Sequence, residues 1–579
     1  MAFTLVKPLG ERRSALWLDA IIVLAIGAVA LGLTQVAAQW RHPLLANVEI
    51  DISLKSLPRY AFFTFVRGWI AYFFSLLFTI VVASWAYYDQ RARHYILPAL
   101  DILQSLPVLT FLPGLEFGLV ALFHRSNTGL ELACILSIFL GQVWNMTFSY
   151  YDSLRGTPPD FRMLGKLYNY SWWSRFWRIE LPFGAQALLY NSMVSMAGGW
   201  FYLTTCEAFT SGDRSFRVPG VGSYMAEAMS RGNVRAQIAG VVAMGVIIIV
   251  IDRLIWWPLV NWSVRFKLDD FGGNRAQRSS LQLWLARSAA VQGLSGVWQS
   301  LRNRLLPPPQ PPCAATSLVA PGTKPPAPSR VGPVIYIAVL AALIALLGWG
   351  ATRLAWMLGQ VHVVDWLEMG RGAGYSLVRV FASVLIGTLW AVPFGIWIGL
   401  NPKLSCRLQP LIQFVASFPM PMIYPWLLGL IFLVHGSLGW GSILLILFGT
   451  QWYILFNVAG SAAAIPNDMI SCVEILHLRG WRRWWKFLIP AVMPGLVIGW
   501  ITAAGGAWNT TIIAEIVTVG PRTYTTTGLG SYIARAANDG RFAQLAASAL
   551  LMAAIVVAIN RTVWKRLQTL ANDRCRFIT

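Results

Sequence analysis

Charge is what this chain has least of. Of 579 residues only 12% are Asp, Glu, Lys or Arg while 56% are hydrophobic, a balance outside the range of soluble globular domains. Acidic side chains are scarcest, 24 against 46 Lys and Arg, for a formal net charge of +22. That excess does not argue for a nucleic-acid partner. Lys and Arg gather at the ends of apolar runs, where chain topology and lipid headgroups account for most of them and an anionic solute for the remainder. Six cysteines, Cys134, Cys206, Cys313, Cys406, Cys472 and Cys575, form no CxxC and no pairing with histidine at metal-ligand spacing, which argues against a zinc site or a disulfide framework. No GxxxxGK[ST] phosphate loop, HExxH, nucleophile elbow or Rossmann fingerprint occurs, so the chain by itself cannot cradle ATP in the phosphate-loop manner. Short alternating segments are missing as well: runs such as "VVAMGVIIIVI" (241–251) do not alternate, which excludes a transmembrane barrel.

What is present is helix-forming and apolar. A bilayer span needs about 20 mostly apolar residues, and about twelve such runs fit along the chain, making an all-α polytopic membrane protein. The first run, Leu16 to Trp40, follows Lys7, Arg12 and Arg13 and is too long for a signal-peptide core, so it reads as a retained span with its N-terminus inside. Further spans are expected near 61–88, 97–122, 129–150, 184–208 and 236–260. A basic and proline-rich segment, including "PPPQPPCAATSLVAPGTKPPAPSR" (307–330), can form neither helix nor core and reads as a linker. A second set of spans follows near 332–357, 376–400, 408–434, 440–463, 492–515 and 542–564. The organisation is thus 1–260, a linker at 261–330, and 331–579.

The two sets are one unit written twice. At an offset of 312, Arg67 falls on Arg379, Pro98 on Pro410, Ser105 on Ser417, Pro107 on Pro419 and Pro113 on Pro425. At 308, Pro182 falls on Pro490, Trp200 on Trp508, Glu207 on Glu515, Gly220 and Gly222 on Gly528 and Gly530, and Arg253 on Arg561. Each half holds six spans, so both enter the membrane with the same orientation and form a parallel repeat about an axis along the membrane normal. A solute path between the halves is the natural consequence.

Two stretches rich in arginine and tryptophan interrupt this pattern. They are "FRMLGKLYNYSWWSRFWRIELPF" from 161 and its twin "MISCVEILHLRGWRRWWKFLIPA" from 469, each between the fourth and fifth spans and, counting from an inside N-terminus, cytoplasmic. Each predicts a short helix, a turn near Asn169 or Arg479–Gly480, and a basic aromatic piece ending at Pro182 or Pro490. One such segment is ordinarily a headgroup anchor. Two copies at equivalent sites point to a docking surface.

These stretches resemble the cytoplasmic loop of ABC-importer permeases, where a glycine and a later Ile-x-Leu-Pro mark the coupling helix that inserts into the ATPase subunit. Ile179 and Leu181–Pro182 match that ending, and Phe487 to Pro490 match it more loosely. The family's glycine position holds Asn169 and His477, and its first glutamate position holds Met163 and Ser471. "SLVRVFASVLIGTLWAVPFGIWIGL" (376–400), "ASFPMPMIYPWLL" (416–428) and "IIAEIVTVGPRTYTTTGLGSYI" (512–533) are similar to permeases of the nitrate, sulfonate, taurine and bicarbonate type, here fused and duplicated. The resemblance implies two parallel six-helix repeats of the binding-protein-dependent permease type in a bacterial inner membrane, with both termini cytoplasmic. It also implies a separate ABC ATPase dimer holding ATP and Mg, a periplasmic or lipid-anchored solute-binding protein, alternating access for a small anion, and no catalytic or cofactor site on this chain. The coupling loops would be 161–182, with Asn169, Trp172, Trp173, Arg175, Trp177 and Pro182, and 469–490, with His477, Gly480, Trp481, Arg482, Trp485 and Pro490.

Polar residues inside apolar runs each need a reading. Glu207 and Glu515 lie 25 residues beyond Pro182 and Pro490, about 37 Å of helix and hence near the outer face, the side on which Arg67 and Arg379 begin their spans. Ion pairs Arg67–Glu207 and Arg379–Glu515 are one expectation; separate snorkelling to water is the other. Ser105 with Pro107, and Ser417 with Pro419, interrupt the third span of each half, either to line an aqueous path or to make a simple bend. Gly222 and Gly530 allow close backbone approach at a gate or in a tight turn. A secondary transporter driven by an ion gradient is the alternative function, with Asp101 as its mid-membrane carboxylate and Gln413 as the repeat equivalent.

Overall fold

The computed structural model describes residues 16–42, 49–208, 217–266, 348–520 and 522–575, with the single positions 296, 300, 341 and 345. The N-terminal basic residues, Arg214, nearly all of the 261–330 linker and most of the expected span at 332–357 lie outside the described residues. In the first half the helices are α1 (Leu16–Arg41), α2 (Leu57–Tyr88), α3 (Gln90–Ser105), α4 (Val108–Leu122), α5 (Thr128–Arg155), α6 (Pro159–Leu167) and α7 (Trp172–Arg175). They continue with α8 (Leu181–Glu207), α9 (Val221–Ser230), α10 (Val234–Ile251) and α11 (Trp257–Ser263). The second half has α12 (Val363–Leu400), α13 (Pro402–Ser417), α14 (Tyr424–Leu433), α15 (Leu438–Ala463), α16 (Asn467–Ile475), α17 (Gly480–Arg483) and α18 (Ile489–Ala514). After it come a hairpin of β1 (Ile516–Val519) and β2 (Arg522–Thr525), then α19 (Leu529–Asn538), α20 (Phe542–Ile559) and α21 (Lys565–Cys575). The hairpin, antiparallel with Ile516 opposite Thr525, is the one departure from an all-helical chain among the described residues.

Seven helices are long and apolar enough to cross a bilayer unaided among the described residues. The third span expected in each half is not a single helix. The chain turns by 95° between α3 and α4 and by 79° between α13 and the turn leading into α14. Proline explains the break. Leu106 (ψ 129°) and Phe418 (ψ 128°) are extended, as the residue before proline prefers, and Pro107 and Pro419 are extended too, so two successive residues leave the helix. The 15 residues of α4 reach about 22 Å, short of the roughly 30 Å hydrocarbon core. The segments before each break, α3 and α13, are amphipathic rather than uniformly apolar, beginning with Gln90, Arg91 and Arg93 or with Lys403 and Arg407.

The repeat extends to backbone detail. π-helical turns at Phe176–Glu180 and Asp252–Trp256 recur at Trp484–Leu488 and Asn560–Trp564. Left-handed residues Asn169 (φ 45°) and Gly232 (φ 64°) recur as His477 (φ 51°) and Gly540 (φ 67°). In each arginine- and tryptophan-rich stretch the wide π turn ends just before the helix that carries Pro182 or Pro490. The wider turn gives room where a proline ring would otherwise strike the preceding carbonyls.

The molecule divides into two compact units, Met1–Gly27 with Ser149–Tyr190 and Trp256–His362, and Ala28–Phe148 with Asn191–Ile255 and Val363–Thr579. In the larger unit α15 packs against both α12 and α18 along most of its length, and α12 meets α18 over a shorter contact. Apolar side chains gain little by leaving lipid for each other, so close backbone approach carries much of the association. A Cβ on Gly399 would sit 2.6 Å from that of Ala462, and one on Gly395 would press on Val458 at 3.0 Å, whereas Gly429 has open space. Gly399→Val is therefore expected to lower the melting temperature of the purified protein in detergent by several degrees, an overpacking cost of about 1–3 kcal/mol, with Gly429→Ala close to wild type.

Candidate functional site

Three features concentrate polar or accessible chemistry: two buried carboxylate clusters, the two aromatic loops, and a cavity shared by the halves.

Glu207 ends α8 and Glu515 directly follows α18; both are fully buried. Thr64 Oγ1 and Arg67 Nη1 donate to Glu207 Oε1 at 2.8 and 2.7 Å, and the Gly222 amide donates to Oε2 at 2.8 Å. In the second half Ser376 Oγ and Arg379 Nη1 donate to Glu515 Oε1 at 2.6 and 2.8 Å, and the Ser531 amide donates to Oε2 at 3.1 Å. Thr64 and Ser376, related by the 312 offset, each also accept an amide of the following glycine turn, from Val221 and Leu529, at 2.9 Å in both halves. Both expected pairs thus form, and neither arginine snorkels: Arg67 and Arg379 are buried. The glycines have a local reason. A Cβ on Gly220 or Gly528 would overlap the glutamate carboxylate, and one on Gly222 or Gly530 would overlap the backbone of α8 or α18.

Beyond this shared frame the halves differ. Arg67 also donates Nη2 to Glu131 Oε1 at 2.7 Å, and its Nε bonds Glu131 Oε2. At the matching place in the second half stands Gly439, whose carbonyl accepts from Arg379 Nε at 3.2 Å, while Thr526 and Thr527 take the remaining guanidinium donors. The first cluster therefore holds one cation between two carboxylates, the second one cation with one carboxylate. Sequence reasoning missed Thr64, Ser376 and Glu131. The first two were recoverable from the repeat; Glu131 was not, because its twin is glycine.

The remaining polar residues separate. Pro107, Ser417 and Pro419 are buried at the helix breaks, with Ser417 Oγ accepting from Gln413 Nε2 at 3.3 Å; the side chain of Ser105 lies outside the description. Asp101 is exposed on α3, before the break, so no buried mid-span carboxylate stands where the gradient-driven alternative wanted one. Glu116 on α4 is buried and its Oε2 has no partner among the described residues; its repeat equivalent is Leu428. Arg217 and Arg231 both pair with Glu227. Burial raises the Glu227 carboxyl, and the two arginines more than reverse this, holding it below the ordinary carboxylate range.

Each aromatic stretch is a helix, a left-handed residue and a second short helix. Asn169 and His477 adopt the conformation that a glycine would there. In the first stretch Ser171 caps α7, and Arg175 pairs with Glu180 at 3.0 Å. Trp172 and Trp173 are 52% and 43% exposed, Trp177 is half-buried, and Trp172 stacks on Phe176 at 5.9 Å. In the second stretch Trp481 and Trp485 are 75% and 56% exposed, beside Arg482 and the left-handed Gly480. Met163 and Ile475, in the same two stretches, are exposed as well.

The cavity, of about 300 Å³, is lined from both halves at related positions: Leu109 and Pro421, Leu112 and Tyr424, Thr204 and Ile512, Met225 and Ile533, Ala226 and Ala534, Ser230 and Asn538. The hairpin supplies Ile516, Val517 and Thr518, and its Gly520 amide donates to Met229 O at the end of α9, 2.8 Å away. Asn509 Oδ1 accepts the free Leu109 amide at the start of α4 at 3.2 Å. At the repeat-equivalent positions Pro421 has no amide to offer and the Phe201 side chain no acceptor, so the donor and its acceptor are lost together.

Protein-family comparison finds the model described as binding-protein-dependent transport system inner membrane component twice, at residues 75–256 and 391–576. The chain belongs to this family. Relatives of the family member include the bicarbonate transport system permease protein CmpB of Synechococcus elongatus, 29% identical over 189 residues, 32% of this chain and 64% of the relative. The nitrate import permease protein NrtB of Leptolyngbya laminosa is 26% identical over 188 residues, 32% and 64% of the two chains. The taurine transport system permease protein TauC of Escherichia coli is 26% identical over 184 residues, 32% and 62% of the two chains. The match spans just under two thirds of the length of these relatives. Two family domains on one chain make this a duplicated multi-pass permease component, as the internal offsets require.

Removing one partner of a buried ion pair costs about 3–5 kcal/mol because the other charge is left unpaired. Arg67→Ala leaves two carboxylates behind and Arg379→Ala one. Thermal melts of the purified protein are expected to rank Arg67→Ala below Arg379→Ala, and Glu131→Gln is expected to restore part of the Arg67→Ala loss but none of the Arg379→Ala loss.

Proposed function

We propose that the chain is the transmembrane subunit of an ATP-driven importer that moves a small anion across the bacterial inner membrane by alternating access. The observation that carries this reading is the family domain occurring twice on one chain, each copy with its own tryptophan-rich coupling stretch. With no phosphate loop in the sequence, ATP and Mg belong to a separate ABC ATPase dimer, each protomer of which docks on one stretch, 161–182 or 469–490. Exposed Trp172, Trp173, Trp481 and Trp485 suit that role: aromatic anchors in a rim of arginine are the composition of interface hot spots. A solute-binding protein delivers solute at the outer face, and both termini are cytoplasmic. The two glutamate–arginine clusters tie α2 to α8 and α12 to α18, so that force on the loops turns packed helices rather than single ones. The anion is proposed from the relatives' named solutes, bicarbonate, nitrate and taurine.

An affinity pull-down in detergent from the native host tests the reading, comparing the intact chain with a variant carrying Trp172, Trp173, Trp481 and Trp485 changed to alanine. The intact protein is expected to recover an ATPase, and the variant to lose at least 90% of it at unchanged expression and melting temperature. Absence of an ATPase from both samples would overturn the importer reading.

A further inference from the structure

Of the residues lining the cavity, none is charged; Leu, Ile, Met, Val, Pro and Ala dominate. A small inorganic anion brought here would surrender water to walls that return no cation and a single buried unpartnered donor, the Tyr424 hydroxyl, among the described residues. The hydroxyls of Thr204, Thr205 and Ser230 already donate to carbonyls of their own helices. Such an ion would also fill only a small part of about 300 Å³, a volume at the lower end of the range for pockets that enclose organic ligands. The polar lining is arranged unevenly. Thr518 and Asn538 are exposed and Ser230 is half-exposed, at the hairpin and at the ends of α9 and α19, while Leu109, Leu112, Met225 and Met422 form buried wall.

We propose that this cavity takes an organic solute with an apolar body of several carbons, the body against the buried wall and a polar head at the Thr518–Asn538 end. This rests on the importer reading and narrows its solute away from hydrated inorganic ions such as nitrate or bicarbonate. Ala226 and Ala534, repeat equivalents in the lining, are the small side chains whose enlargement would fill the cavity.

Calorimetric titration of the purified full chain in lipid nanodiscs with straight-chain alkanesulfonates of one to eight carbons, and with nitrate and bicarbonate, tests the proposal. Affinity is expected to rise about fourfold per added methylene until the cavity is full. Ala226→Phe with Ala534→Phe should abolish that gradient, which sets cavity binding apart from partition into lipid. The milder Ala226→Leu should weaken the longest chains first, should the double variant fail to fold. Nitrate or bicarbonate binding as tightly as octanesulfonate, no binding of any probe, or a gradient that survives in a folded filled variant would each overturn the proposal. ATPase recovery by the same preparation separates the two readings. A recovered ATPase without the gradient removes the solute class and leaves the importer; a gradient without an ATPase leaves the cavity's preference and removes the importer.

Discussion

A carboxylate with no water around it has to be answered by donors from the protein, and Glu207 and Glu515 determine much of what surrounds them. Each collects a guanidinium and a hydroxyl from the helix that opens the core of its half, and an amide from the glycine turn that follows. Fixing those donors brings α2 beside the end of α8 and α12 beside the end of α18. It also explains why glycine stands at 220, 222, 528 and 530: the turn must approach so closely that no side chain fits.

Duplication has preserved this frame while changing its charge. Where the first half has Glu131 the second offers a backbone carbonyl, and where the second half has Asn509 capping α4 the first has Phe201 at the equivalent position. Both changes keep hydrogen bonding complete. The difference in buried charge makes the first half more dependent on its arginine, an asymmetry that two identical permeases paired with each other would not have.

At the centre the same pseudo-symmetry has another effect. Because paired wall positions are mostly aliphatic on both sides, the shared cavity is apolar and no charged residue lines it. The helix breaks at Pro107 and Pro419 contribute by starting short helices whose first turns supply Leu109, Pro421 and Met422 to the wall.

Much of this was legible in the amino-acid sequence. Apolar runs of about 20 residues dictate helices because only an internally bonded backbone survives in lipid, and the constant offsets dictate a parallel repeat. The paired arginines and glutamates were visible at equivalent positions as well, since duplication marks what both halves need. Three things were decided only by tertiary structure. A run that is apolar throughout does not show that two extended residues will turn it by nearly a right angle, so 97–122 and 408–434 read as single spans. Glu131 is 64 residues from its arginine and has no twin, so nothing local signals the contact. The cavity's character depends on which faces of six helices, a helix-leading turn and a hairpin meet, which is a property of packing and is written in no single segment.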